Sequence, residues 1–248
     1  MFVSADFLAI NYGVHDEIAN FFTEREPPTN NLYWKDKLMY LRHEPGYLFI
    51  PIIVDTLNRL GIKKQILLGN EYIHLLEEVG HIAALEETNS ITKQKAIELC
   101  INLTQAKAKN KYFYDALEKY MTGDNNSFIN ELLLPYKALH RGDIFLFSVA
   151  ILDFDNEVAH KIIQYWFVII GSFLLLDDAS DIEADKQNNH ENAFLECGLD
   201  AKGITEIKLF LGSLLTTIKT FNKPLARAID NQFVKMAELP HIKQYLKN

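Results

Sequence analysis

Apolar residues recur at spacings of three and four almost throughout this chain, and no stretch alternates apolar with polar for long enough to make a half-buried strand. No Asn-Gly turn joins two β-branched runs either. Because a helix brings positions i, i+3 and i+4 onto one face, this spacing predicts an all-α fold. Turn chemistry punctuates the pattern at Pro27 to Asn31, Pro45-Gly46, Gly61, Gly123 to Asn126, Asp153 to Asn156, Asn188-Asn189, Gly198 and Pro224. Helices are therefore expected near 14–22, 33–43, 47–60, 63–87, 91–121, 127–150, 156–186, 202–221 and 225–246, with Pro135 kinking or breaking its own helix. No repeat and no long linker divides the chain. One helical domain over residues 1–248 is expected, with 1–30 as an N-terminal cap.

The most apolar run, Ile162 to Leu176, is 15 residues long and includes Gln164, Tyr165 and Ser172. That is short of a bilayer span, so it reads as a buried core helix and no transmembrane segment is expected. Residues 1–12 lack the basic stretch and cleavage site of a secretory signal. Cys100 and Cys197 have neither metal-ligand spacing nor the number to staple a chain of this size, which fits a reducing cytoplasm. A formal net charge of -8 disfavours nucleic acid as a partner. An anionic small molecule remains compatible with it when a metal ion bridges the two.

Directly after the apolar run comes Asp177-Asp178-Ala179-Ser180-Asp181-Ile182-Glu183-Ala184-Asp185. On a helix Asp177, Asp181 and Asp185 stand at i, i+4 and i+8 along one face, with Asp178 beside them. Such like-charge pairs destabilise a helix by about 0.2–0.5 kcal/mol each unless a cation sits among them. Mg²⁺ prefers carboxylate oxygens and usually completes its shell with water and a substrate phosphate. Acidic residues also decorate the exposed ends of helices without any such role. Here, however, the acids follow immediately on an oily core segment, which places them at the mouth of an apolar cavity able to serve a hydrocarbon tail and a charged head together.

The stretch Phe173-Leu-Leu-Leu-Asp177-Asp178-Ala-Ser-Asp181 resembles the second aspartate motif of the trans-isoprenyl diphosphate synthases, Phe-Gln-x-x-Asp-Asp-x-x-Asp, with Leu174 in place of Gln. Upstream, Tyr165 and Lys137 lie 12 and 40 residues before Asp177, and Lys137-Ala138 stands near the family's diphosphate-binding Lys-Thr pair. Glu78-Val-Gly-His81 with Leu85 resembles the family's Glu-x-x-His-x-x-x-Leu stretch. Gly46 and Pro51 match a Gly-Lys-Arg-x-Arg-Pro segment, although Tyr47, Leu48 and Ile50 replace its basic residues. Asp115-x-x-Glu118 resembles the acidic pair carried on a facing helix. The first Asp-Asp-x-x-Asp motif should fall on residues 88–92, where Thr88 and Asn89 stand instead. Against the second metal motif of terpene cyclases, the cluster aligns Asp177, Asp178, Asp181 and Asp185 with the four ligand positions.

The resemblance is thus to the isoprenoid (terpenoid) synthase superfamily. It implies a helical bundle around a central apolar cavity, a prenyl diphosphate as ligand, Mg²⁺ as cofactor and a homodimer. It further implies that Asp177, Asp178 and Asp181 are catalytic, with Asp177, Asp181 and Asp185 as metal ligands. Lys137, Arg141, Phe173, Asp115 and Glu118 would bind substrate. Phe145, Phe147, Trp166 and Phe173 would be candidates to stabilise an allylic cation, although each is more simply read as ordinary core. With one aspartate motif missing, a chain that binds an isoprenoid without turning it over, or that regulates an active synthase, is an alternative. A rival comes from two Glu-x-x-His pairs, Glu78/His81 and Glu157/His160, the spacing used by di-iron carboxylate bundles, with Glu44 or Glu118 as further ligands.

Overall fold

Side chains that accept a backbone hydrogen bond mark where the helices begin, and left-handed residues mark where several end. The computed structural model describes residues 3–26, 28, 29, 31 and 49–246 of the chain, and among them every regular element is helical. In chain order these are α1 (Ala5–Tyr12), α2 (Asp16–Glu24), α3 (Phe49–Arg59), α4 (Lys64–Leu67), α5 (Asn70–Glu87), α6 (Lys93–Thr104) and α7 (Lys111–Thr122). After three 3-10 segments follow α8 (Asn156–Asn188), α9 (Ala193–Cys197), α10 (Ala201–Phe221), α11 (Lys223–Ala237) and α12 (Pro240–Leu246). Ser4, Thr92, Asn110, Asp155, Asp200 and Asn222 cap α1, α6, α7, α8, α10 and α11 through their side-chain oxygens. The all-α expectation holds.

Several boundaries differ from the sequence reading, each for a local reason. The 63–87 segment divides at Gly69, which caps α5. The 91–121 segment divides between Thr104 and Lys111, where Asn110 starts a new helix. The C-terminal segment breaks before Pro240. α1 and α9 were not anticipated, and the 33–43 helix lies outside the described residues, as do Glu44, Gly46, Tyr47 and Leu48. The expected 127–150 helix does not form. Pro135 offers no amide there and Gly142 takes a left-handed φ of 77°, so the stretch becomes 3-10 segments at Phe128–Leu132, Lys137–Leu139 and Asp143–Ile151. The last of these is buried along its whole length, which is why it shows no amphipathic period.

α8 runs 33 residues, roughly 50 Å, through the middle of one continuous cluster of buried apolar side chains. It packs against α3, α7, α9, α10 and α11. Among the described residues it is the only helix long and apolar enough to cross a membrane by length and composition, and 67% of its most apolar window is buried in the protein.

The first helices are stitched to the α10–α11 corner. Asn222 Nδ2 donates to the Tyr12 carbonyl at 2.9 Å while its Oδ1 accepts from Leu225 N at 3.0 Å. Arg59 donates to the carbonyls of Gly13 and Phe221 and to Asp55, whose other oxygen accepts from His15 N. Gly13 is needed twice over: its φ is 65°, and a Cβ there would stand 2.7 Å from Asn222 Oδ1.

Candidate functional site

On α8, Trp166, Ile170, Phe173 and Asp177 follow one another at spacings of four, three and four, and all four face the same cavity of about 780 Å³. The stripe begins as indole and hydrocarbon and ends as a carboxylate. α5 contributes Ala83, then Glu86 and Glu87 at its C-terminal end, so acids from two helices meet at the same mouth. α5 stops there because Thr88 caps it and Asn89 turns the chain at a left-handed φ of 56°. Cations come from Lys93 in the first turn of α6 and from Lys137 and Arg141 on the irregular strap before Gly142. Deeper in, Phe49, Ile97, Ile144 and Phe145 complete an apolar wall. The cavity therefore has a charged rim and an oily, aromatic interior.

The four aspartates have different fates. Asp177 is half-buried at the rim and makes no hydrogen bond among the described residues. Burial pushes its carboxyl above the usual carboxylate value; the Arg141 charge opposes this, and the neighbouring charges of Asp181, Asp185 and Glu87 reinforce it. Asp178 is 1% exposed. Its Oδ1 lies 2.5 Å from Arg141 Nη2, and its Oδ2 accepts from Ala193 N, the first residue of α9, at 2.7 Å. Burial pushes Asp178 up to about 7, against the pull of Arg141 and of that amide. Asp178, expected as a catalytic residue, is thus held between Arg141 and α9 and does not line the cavity.

Asp181 is exposed and does not line the cavity. Asp185 accepts from Asn192 Nδ2 at 2.9 Å and lies 3.4 Å from His190 Nδ1. The i, i+4, i+8 row is real as helix geometry, and the charges along it raise the proton affinity of Asp177 and Asp181 after the larger effect of burial. Yet among the described residues no three His, Cys, Asp or Glu side chains gather closely enough to hold a metal ion by themselves.

Of the expected substrate-binding residues, Lys137, Arg141 and Phe173 line the cavity. Lys137 Nζ pairs with Glu191 at 2.6 Å, and its backbone amide, with that of Ala138, is held by the Glu196 carboxylate. Arg141 is committed to Asp178 and to the Ala138 carbonyl. Asp115 and Glu118 do not reach the cavity: Asp115 is exposed, and α7 turns Tyr120 and Met121 toward it instead. Phe145 and Trp166 line the interior, whereas Phe147 is fully buried and packs edge-on against Tyr114.

The two Glu-x-x-His pairs are not brought together. Glu78 and His81 border a separate hollow of about 550 Å³ with His74 and Leu99. Glu157 pairs with Lys161 one turn along α8, and His160 meets the Tyr112 hydroxyl at 2.8 Å and stacks on Phe128. Neither Glu157 nor His160 borders that hollow.

Sequence reasoning missed Glu86, Glu87, Lys93, Glu191 and Asp143. The first two were within reach, since a Glu-Glu pair ends α5 immediately before the residues where an aspartate motif was sought. No protein-family model, curated protein or solved structure matches this chain.

Proposed function

We propose that this protein binds a prenyl diphosphate, with Mg²⁺ as the bridging ion, at the rim of the 780 Å³ cavity and with the isoprenoid chain directed inward. One observation carries the reading: Asp177 on α8 and Glu86 and Glu87 on α5 present carboxylates to the same mouth, above a wall of aromatic and aliphatic side chains. These donors fit the ion, because Mg²⁺ takes one or two carboxylates plus phosphate oxygens and water, and does not need a closed cage of protein ligands. The ion would neutralise diphosphate charge and ease its departure from carbon.

The protein's own groups do the rest. Lys93 and Lys137 lie where they can neutralise diphosphate oxygens, Lys137 by exchanging its contact with Glu191. Phe145, Trp166 and Phe173 exclude water and offer ring faces to positive charge. The volume lies within the range of about 300–1,000 Å³ usual for small-molecule sites. An isoprenoid-synthase type of bundle and an assignment to prenyl transfer, ionisation or cyclisation belong to this same proposal.

A second reading, binding without turnover, is favoured by Arg141, whose guanidinium is already engaged by Asp178 and so is withheld from a leaving group. Calorimetric titration with geranyl and farnesyl diphosphate tests the main proposal. Heat is expected with Mg²⁺ and not with EDTA, and Asp177→Ala should weaken binding at least ten-fold; no magnesium-dependent heat with either ligand rejects it. Release of inorganic diphosphate separates turnover from binding alone.

A further inference from the structure

At the inner end of the cavity lies a carboxylate that the rim chemistry does not use. Asp143 is 6% exposed, and its two oxygens are addressed separately, Oδ2 by the Tyr120 hydroxyl at 2.5 Å and Oδ1 by Trp166 Nε1 at 2.8 Å. All three residues line the cavity. No ion pair among the described residues includes Asp143, and the cations that act on it, His140 and Lys93, do so only through space. Phe49 packs edge-to-face on Phe145 with centroids 4.9 Å apart and on Trp166 at 6.3 Å, so aromatic rings crowd the same floor.

A purely structural tie between α7 and α8 would be served by a neutral acceptor. A buried carboxylate is costly without a counter-charge. Each of its oxygens keeps a further lone pair after accepting one bond, and two donors favour its ionised form. A carboxylate together with aromatic rings is the combination that recognises organic cations.

We infer that the cavity floor is a subsite for a positively charged organic group of the alkylammonium class, with the Asp143 carboxylate as its anionic pole and the rings of Phe49, Phe145 and Trp166 as its walls. Trp166, which holds Asp143, and Asp177 are three turns apart on α8, roughly 16 Å along the helix. The inference goes beyond the diphosphate reading because it holds whatever occupies the mouth. Burial raises the Asp143 carboxyl, Tyr120 and Trp166 pull the other way, and a cation seated against it would pull further, so the ligand itself draws out the charge of the subsite.

The test compares choline with its uncharged isostere 3,3-dimethylbutan-1-ol, titrated into the full chain at pH 8 without metal. The native protein is expected to prefer the cation at least ten-fold. In Asp143→Asn that preference should fall below about three-fold. Phe145→Leu, which keeps the carboxylate, should lower it by a smaller factor, and it supplies the readout if the Asn variant fails to fold. Asp177→Asn, which disables the rim, should leave the preference in place, so that failure here and failure of the diphosphate proposal are separable. The inference is overturned if the native protein shows no preference, if Asp143→Asn retains it, if a folded Phe145→Leu leaves it unchanged, or if Asp177→Asn abolishes it.

Discussion

Asp177 and Asp178 are adjacent in the sequence, yet a step of about 100° around the helix sends them to different parts of the molecule. Asp178 enters the seam between α8, α9 and the strap that carries Arg141, where a guanidinium and a backbone amide satisfy it. Asp177 enters the rim of the cavity, where nothing described donates to it and three like charges act on it. An acid count in a motif is therefore not a ligand count. The same four-letter pattern holds one residue that fastens the fold and one that is available to a cation.

The sharpest way to break this division is to remove the partner of Asp178. In Arg141→Met the buried carboxylate loses its counter-charge, and at pH 8 the unfolding free energy in urea should fall by about 3 kcal/mol. The loss should shrink in acid, as Asp178 takes up a proton instead. A loss under about 0.5 kcal/mol would place Arg141 among ordinary surface residues.

The next effect is a pH dependence. The folded value for Asp178, about 7, lies above its ordinary 3.8, so between those limits the native state holds a proton that the unfolded chain has released. The contribution of this group to stability is therefore greatest in acid, declines as pH rises from about 4 toward 7, and is level above that. Asp178→Asn should flatten this part of the stability profile by on the order of 2 kcal/mol. An unchanged slope in urea titrations would mean that Asp178 is ionised throughout.

Asp177→Ala should behave oppositely. Its unfolding free energy should stay level or rise by about 0.2–0.5 kcal/mol as like-charge repulsion is relieved, while magnesium-dependent diphosphate binding is lost. A destabilised Asp177→Ala would make it a second clamp. The smallest effects belong to Asp115→Ala and Glu118→Ala. Both lie away from the cavity lining and should change stability by no more than about 0.5 kcal/mol and ligand affinity not at all.

How much of this was legible depended on whether a residue's surroundings lie near it in the chain. The core helix and the acids at its end could be read because an apolar run followed by i, i+4, i+8 carboxylates is a local pattern. The strap from 127 to 151 could not, because apolar density looks helical and only Pro135 and Gly142 hinted otherwise. The clamp around Asp178 depends on Arg141 and Ala193, contacts 37 and 15 residues distant that no motif encodes. Glu86 and Glu87 were passed over because the motif was sought letter for letter, whereas a carboxylate one helical position earlier can reach the same opening. Asp143 carried a faint signal: a lone acid at the head of the run Ile144 to Ile151, apolar except for Ser148, is either a turn residue or a buried charge, and only packing decides which.

The stitch between the Tyr12 carbonyl and Asn222 closes a contour of 210 residues. Joining such distant points has a cost in chain entropy that grows with the logarithm of the separation, so this corner should form late, after the local helices exist. Because one amide group both ends the first helix and starts α11, the two cannot become ordered independently. Amide hydrogens at Val14 and Leu225 should accordingly exchange with solvent as one unit.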